Sequence, residues 1–195
     1  ELEHGTVILA QEQTAGRGGP VAVARALPAA ASGRNWAGYG GTPQQTRYST
    51  LSRINTTNVA GLQVAWRYDT GEPGAMQTQP IVIDGVVYGY TPTHKAFAVN
   101  GATGKAIWTF DSGIRGSGPN RAVMYWASGQ DRRVFAAVAS FVYALDARTG
   151  KVIRSFGTDG RIDLRQHLGR DPDTQSVRLT SPGVIYRDLM IVGGR

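Results

Sequence analysis

Cysteine is absent from this 195-residue chain, so no disulfide can staple it and no thiolate can hold a metal. Long hydrophobic runs are missing too. No apolar stretch approaches the roughly 20 residues that cross a bilayer as a helix. Charge is sparse at 18%, and although basic residues exceed acidic ones by 21 to 14, Lys and Arg never gather into a run. The tightest knot, Asp131-Arg132-Arg133, carries its own counter-charge. A net charge of +7 spread in this way reads as a solvated surface, not as a nucleic-acid groove.

What the chain does have is glycine, 26 residues of it, and 41% apolar residues, enough for a real core in a turn-rich β protein. Residues 1–34 differ in texture, being rich in Ala and Gly with little periodicity beyond Thr6–Ala10. The piece VAVARALPAAASG (Val21–Gly33) has the small-residue end of a secretory signal, but Arg25 breaks its apolar centre. This segment is expected to be a flexible leader or a signal-like remnant.

From residue 35 onward the sequence repeats itself. AVNGATGKAIWTF (Ala98–Phe110) returns 46 positions later as ALDARTGKVIRSF (Ala144–Phe156). Ala, Thr, Gly, Lys, Ile and Phe keep their offsets, and Asp146 answers Asn100. Hairpin signals accompany the repeats. QPIVIDGVVYGYT (Gln79–Thr91) turns at Asp84-Gly85, RRVFAAVASFVYALD (Arg132–Asp146) at Ala139-Ser140, and GVIYRDLMIVGG (Gly183–Gly194) at Arg187-Asp188. Asp-Gly between apolar runs favours a tight turn because Gly accepts positive φ. A strand ending in Asn100 or Asp146, a Thr-Gly turn and a last strand opening with Lys complete each unit.

Four strands in about 40 residues is the period of a β-propeller blade. The fold class expected is therefore all-β, with only about three blades in the chain. Their approximate limits are 35–71 (an opening segment and a closing strand), 72–115, 116–160, and an incomplete 161–195. GLQVAWRYDTG (Gly61–Gly71) is a degenerate copy of the closing strand, and its Trp66, like Trp108, is expected to lie between neighbouring blades. Arg154 stands where the next Trp would be, so the second full unit must differ there. A ring needs at least four blades, so these three are expected to be part of a larger one.

The opening segment NWAGYGGTPQQTRYSTLSRINTTNVAGLQVAWRYDTG (Asn35–Gly71) resembles that of the pyrroloquinoline quinone (PQQ)-dependent dehydrogenases, phrase for phrase. The likeness extends from Asn35 to Arg195 and is nearest the glucose and alcohol dehydrogenase branches. It implies an eight-bladed quinoprotein propeller, oxidation of a sugar or alcohol hydroxyl by hydride transfer to the quinone, and a quinone or cytochrome as electron acceptor. It also implies Ca²⁺ beside PQQ and a periplasmic location, on or off the membrane. The Ca²⁺ ligands, the catalytic Asp and the Trp on which PQQ stacks would all lie beyond Arg195, so neither catalytic nor metal-binding residues are assigned in this chain.

The resemblance also marks cofactor-binding residues. Gln77, in MQTQP, stands where relatives carry Glu or Gln, and an amide there can hydrogen-bond the polar rim of a quinone. Arg121, in GPNRAVMYW, matches the Arg of an Asn-Arg-Gly motif, and a guanidinium fork suits a flat tricarboxylate. Thr180 and Ser181, in LTSPGVIY, match a hydroxyl pair facing the cofactor, and Gly193 and Gly194 a loop where backbone comes close to it. Each has a plainer alternative: Gln77 a solvated loop residue, Arg121 an ion pair with Asp111, Thr180-Ser181-Pro182 a strand-entry turn. Tyr125 and Trp126 read as core, and His94 and His167 as loop residues without ligand spacing.

Departures from the family pattern are specific. Ile114-Arg115-Gly116-Ser117 stand where many alcohol-oxidising relatives have a vicinal disulfide, which points to the glucose-dehydrogenase-like branch. Ala122 replaces the motif's Gly, and Ala136 a Thr found in some relatives. Two rivals share the repeats: a non-catalytic scaffold in outer-membrane protein assembly, and a sugar-binding lectin-like propeller. The scaffold gives no reason for Gln77, Arg121 and the Asn-Arg context to occur together, and the lectin-like reading would be supported by glycan binding without PQQ binding.

Overall fold

A computed structural model describes residues 6–9, 35–42 and 44–194. Among these residues eleven strands form three antiparallel sheets: β2 (Ile81–Ile83), β3 (Val86–Tyr90), β4 (Ala96–Asn100) and β5 (Ala106–Phe110) in the first; β6 (Met124–Ser128), β7 (Asp131–Val138), β8 (Phe141–Asp146) and β9 (Arg161–Asp163) in the second; β10 (Val184–Tyr186), β11 (Leu189–Gly193) and β1 (Thr6–Leu9) in the third. The first two run in simple up-and-down order, as propeller blades do. In the third, β11 lies between β10 and β1. Of the expected leader only Thr6–Leu9 is among the described residues, and it is a strand paired with β11.

The turns form where the sequence places them. Ile83 faces Val86 across Asp84-Gly85, whose φ values of 49° and 79° are both positive, as a type I′ hairpin requires. Ala139 and Arg187 turn the other two hairpins with φ of 51° and 55°. Along β7 the side chains alternate between two cores. Val134, Ala136 and Val138 join Tyr90, Trp108 and Tyr125 between the first two sheets. Phe135 and Ala137 join Leu179, Met190 and Val192 between the second and third. A strand buried on both faces reads as the continuous apolar run seen there.

The Thr-Gly turns dock tryptophans. Asn100 Oδ1 accepts from the N–H groups of Ala102 and Thr103, at 2.9 and 3.0 Å, and Asp146 Oδ1 accepts from those of Arg148 and Thr149, at 3.1 and 2.8 Å. Each turn ends on a glycine with φ of +69°, Gly104 or Gly150, lying flat against the indole of the preceding unit, Trp66 or Trp108. Trp66 Nε1 donates to the Gly101 carbonyl at 2.9 Å, and Trp108 Nε1 to that of Ala147 at 3.0 Å. Trp108 lies between the first two sheets as expected, whereas Trp66 docks on the turn of the first sheet without belonging to a sheet of its own among the described residues.

Three expectations need correction. The closing strand expected in Gly61–Gly71 has no strand partner among the described residues; the segment is held by Trp66 and by the Tyr68 ring, 5.0 Å from that of Phe97. The last strand expected from Lys151 shrinks to one bridge, Leu145 with Val152, and β9 closes the sheet on Phe141–Tyr143. Gly157 and Gly160, with φ of 55° and 86°, turn the intervening residues out of the ladder. The unit expected to open at Arg161 therefore opens its own sheet at Val184. Trp126, read as core, does pack against the second core while half-buried, with Arg133 over its ring at 5.3 Å and its N–H donated to the Arg187 carbonyl at 3.1 Å.

Candidate functional site

Each sheet begins with its first strand, and just before β2, β6 and β10 the backbones of the three units are joined. The Gln79 N–H donates to the Arg121 carbonyl at 2.6 Å, and the Arg121 N–H donates to the Thr180 carbonyl at 3.2 Å. Arg121 is thus the middle link of a chain running from sheet to sheet across the ends of the first strands. Gln77 lies two residues before Gln79 and is exposed; Ser181 is exposed and follows Thr180 directly.

Arg121 is half-buried, and its Nη1 donates to the Thr180 carbonyl at 3.2 Å. Among the described residues no carboxylate reaches it. Asp111, its alternative partner, is taken by Lys95 at 3.1 Å. Gly193 ends β11, paired with Thr6, and is strand rather than loop. Carrying the β10–β11 register (Val184 with Ile191) two and three places on sets Gly193 beside Pro182 and Gly194 beside Ser181. A Cβ on Gly194 would lie 3.0 Å from Val177 Cγ1. All six sequence-predicted residues therefore lie at one end of the sheets, around the starts of successive first strands.

The same end carries groups that sequence reasoning missed. Ala137 lies just past the end of the β6–β7 pairing, and its N–H donates to the Tyr90 hydroxyl at 2.6 Å while its carbonyl accepts from Asn120 Nδ2 at 2.8 Å. Burial pushes the Tyr90 hydroxyl well above the usual phenol range, and hydrogen bonds from Ala137 and Asn120 offset only part of that. His94, nearly buried, donates from Nε2 to the Gly118 carbonyl at 3.0 Å, and its ring leaves no room for a Cβ on Gly116. Glu72 accepts from Thr93 at 2.7 Å (Oγ1) and 3.1 Å (N–H), and Lys95 sits 3.1 Å from it. Burial raises the Glu72 carboxyl, but hydrogen bonds from Thr91, Thr93 and Lys95 outweigh it and hold the group at about 2. Asn120 adjoins Arg121 in the quoted motif; no signal in sequence connects it with Tyr90.

Radiating four-stranded sheets, glycine-docked tryptophans and a shared inner edge define a β-propeller whose first strands converge on a polar end. A family model described as "Glucose/ethanol/alcohol dehydrogenase, beta-propeller domain" matches residues 36–195, and the chain belongs to that PQQ family. It is 36% identical to the dehydrogenase subunit of the quinone alcohol dehydrogenase of Komagataeibacter europaeus over 132 residues, 64% of this chain and 18% of that protein. Against quinoprotein glucose dehydrogenase A of Acinetobacter calcoaceticus it is 28% identical over 209 residues, 88% of this chain and 25% of that protein. Among solved structures, the quinohemoprotein alcohol dehydrogenase of Comamonas testosteroni superposes with a TM-score of 0.73 and 27% identity, covering 89% of this chain and 26% of that one. The chain thus spans about a quarter or less of the length of these relatives.

Proposed function

We propose that the protein carrying this chain is a PQQ-dependent dehydrogenase oxidising a sugar or alcohol hydroxyl in the periplasm and passing electrons to a quinone or cytochrome acceptor. The observation that carries this reading is Arg121: a half-buried guanidinium, fixed at both its backbone groups, with one carbonyl partner and no carboxylate among the described residues. That donor set fits a flat, acidic ligand. The bound quinone supplies the hydride acceptor. This chain's residues would bind and orient it: Arg121 would pair with a carboxylate, the Gln77 amide would hydrogen-bond a polar edge, and the hydroxyls of Thr180 and Ser181 would complete that edge. Gly193 and Gly194 keep side chains out of the way. The proton-accepting Asp and the ligands of Ca²⁺, a hard cation suited to carboxylate and quinone oxygens, are not assigned among this chain's residues.

The test is a titration of the metal-free, cofactor-free full-length protein with PQQ and Ca²⁺, read by tryptophan fluorescence, followed by dye reduction with glucose and with ethanol. Charge-assisted hydrogen bonds contribute about 1.5–3 kcal/mol, so Arg121→Ala is expected to raise the Kd for PQQ about 10- to 100-fold. Gln77→Ala is expected to raise it less. Unchanged affinity in both variants overturns the reading.

A further inference from the structure

The register of the second sheet raises a question about Ala137. Met124 faces Phe135 and Trp126 faces Arg133. Two residues further on, Ala122 would face Ala137 and exchange the next pair of ladder hydrogen bonds. It does not. β6 begins only at Met124, although Ala122 and Val123 are buried. The Ala137 N–H and carbonyl are instead met by the Tyr90 hydroxyl, which comes from the first sheet, and by the Asn120 amide. Buried backbone groups left without partners are expensive, so these two side chains stand in for a missing stretch of strand. The backbone groups of residue 121, which point away from β7 in this register, bond Gln79 and Thr180, in the neighbouring units.

We infer that Tyr90 and Asn120 are positioning residues for Arg121, taking over the end of the β7 ladder so that residues 120–121 can leave it and hold the guanidinium at the convergence of the three first strands. The inference rests on the function proposed above. A second clamp supports the same loop: the Gly116 N–H donates to the Thr93 carbonyl at 3.2 Å, and His94 holds the Gly118 carbonyl. Asn120→Asp keeps the shape and loses the donor; Tyr90→Phe removes only the hydroxyl.

Both variants, made in the full-length protein, are to be compared for PQQ affinity, for urea midpoint and for hydrogen exchange at the amides of Gln79, Arg121 and Ala137. Asn120→Asp is expected to weaken PQQ binding about tenfold in an otherwise native protein and less than twofold when Arg121 is already Ala, because its effect runs through that side chain. Tyr90→Phe, the milder change, is expected to act in the same direction and serves if Asn120→Asp fails to fold. Equal losses in both backgrounds, or lowered urea midpoints with unchanged affinity, overturn the positioning role while leaving the proposed function standing. If the native protein binds no PQQ, the proposed function fails. The exchange data then decide the positioning: faster exchange at both Gln79 and Arg121 in the variants supports it, and unchanged exchange there overturns it.

Discussion

Glu72 shows how one side chain organises the polar end of the first sheet. Only 12% of its side chain is exposed, and Thr93 and Lys95 close around it while Lys95 also holds Asp111, at 3.1 Å from each acid. A carboxyl moved from the usual 4.5 to about 2 by folding stabilises the native state wherever the unfolded chain's carboxyl is ionised. That stabilisation is complete above about pH 4.5 and is lost as pH falls from 4.5 through 2. Asp111, Asp146 and Asp163, also held low, add to the same acid slope. Glu72→Gln is therefore expected to lower the urea midpoint at pH 7 and to flatten its decline between pH 4.5 and 2. A native and variant pair with parallel pH profiles in that window would remove Glu72 from the account.

At the scale of the strand and turn, the repeats act through glycine and tryptophan. An alanine at Gly150 meets two obstacles: a φ of +69°, and Trp108 Cδ2 only 2.6 Å from the new Cβ. Gly129, in the β6–β7 turn, shares a positive φ of +58° but has nothing within 4 Å. The backbone penalty alone is about 1–2 kcal/mol and overpacking adds about 1–3. Gly129→Ala is thus expected to destabilise by ~1–2 kcal/mol and Gly150→Ala by about 2–5 kcal/mol in urea titrations; equal effects would mean that the indole is not a rigid neighbour. Such local devices were legible in the sequence. Asp84-Gly85 specifies its turn within two residues, and Asn100 and Asp146 cap turns only three residues long. Arg154 in the tryptophan's place signalled that the second unit would differ, but not that Arg161–Asp163 would close it, because that depends on glycines turning a segment aside. Arg121 was legible by its motif, whereas Tyr90 and Asn120 meet at Ala137 across 47 and 17 residues and no short-range pattern joins them.

Across the whole molecule, the sheets differ in how many neighbours they have. The second is covered on both faces, by Tyr88 and Trp108 on one side and by Met190 and Val192 on the other. The third buries Met190 and Val192 toward the second sheet and turns Val184, Tyr186 and Ile191 outward, 55%, 56% and 40% exposed. Val184 and Ile191 are directly paired across β10 and β11, and Tyr186 shares their face, so these form one apolar surface and not scattered side chains. Leu51, Ile54, Leu62 and Val64 are likewise more than half exposed in the opening segment. Contiguous apolar surface on a sheet is a docking or association surface. The 195-residue chain, purified by itself, is expected to self-associate with rising concentration in light scattering and to enhance the fluorescence of an apolar dye. Val184→Glu with Ile191→Lys replaces an apolar cross-strand pair by an ionic one without disturbing β10–β11 pairing, and is expected to disperse the chain and quench the dye signal. In the full-length protein the same pair of changes is expected to lower the thermal midpoint, since charges would then be buried against another sheet. Full stability of that doubly charged full-length protein would show that the third sheet's outer face meets water there and receives no blade.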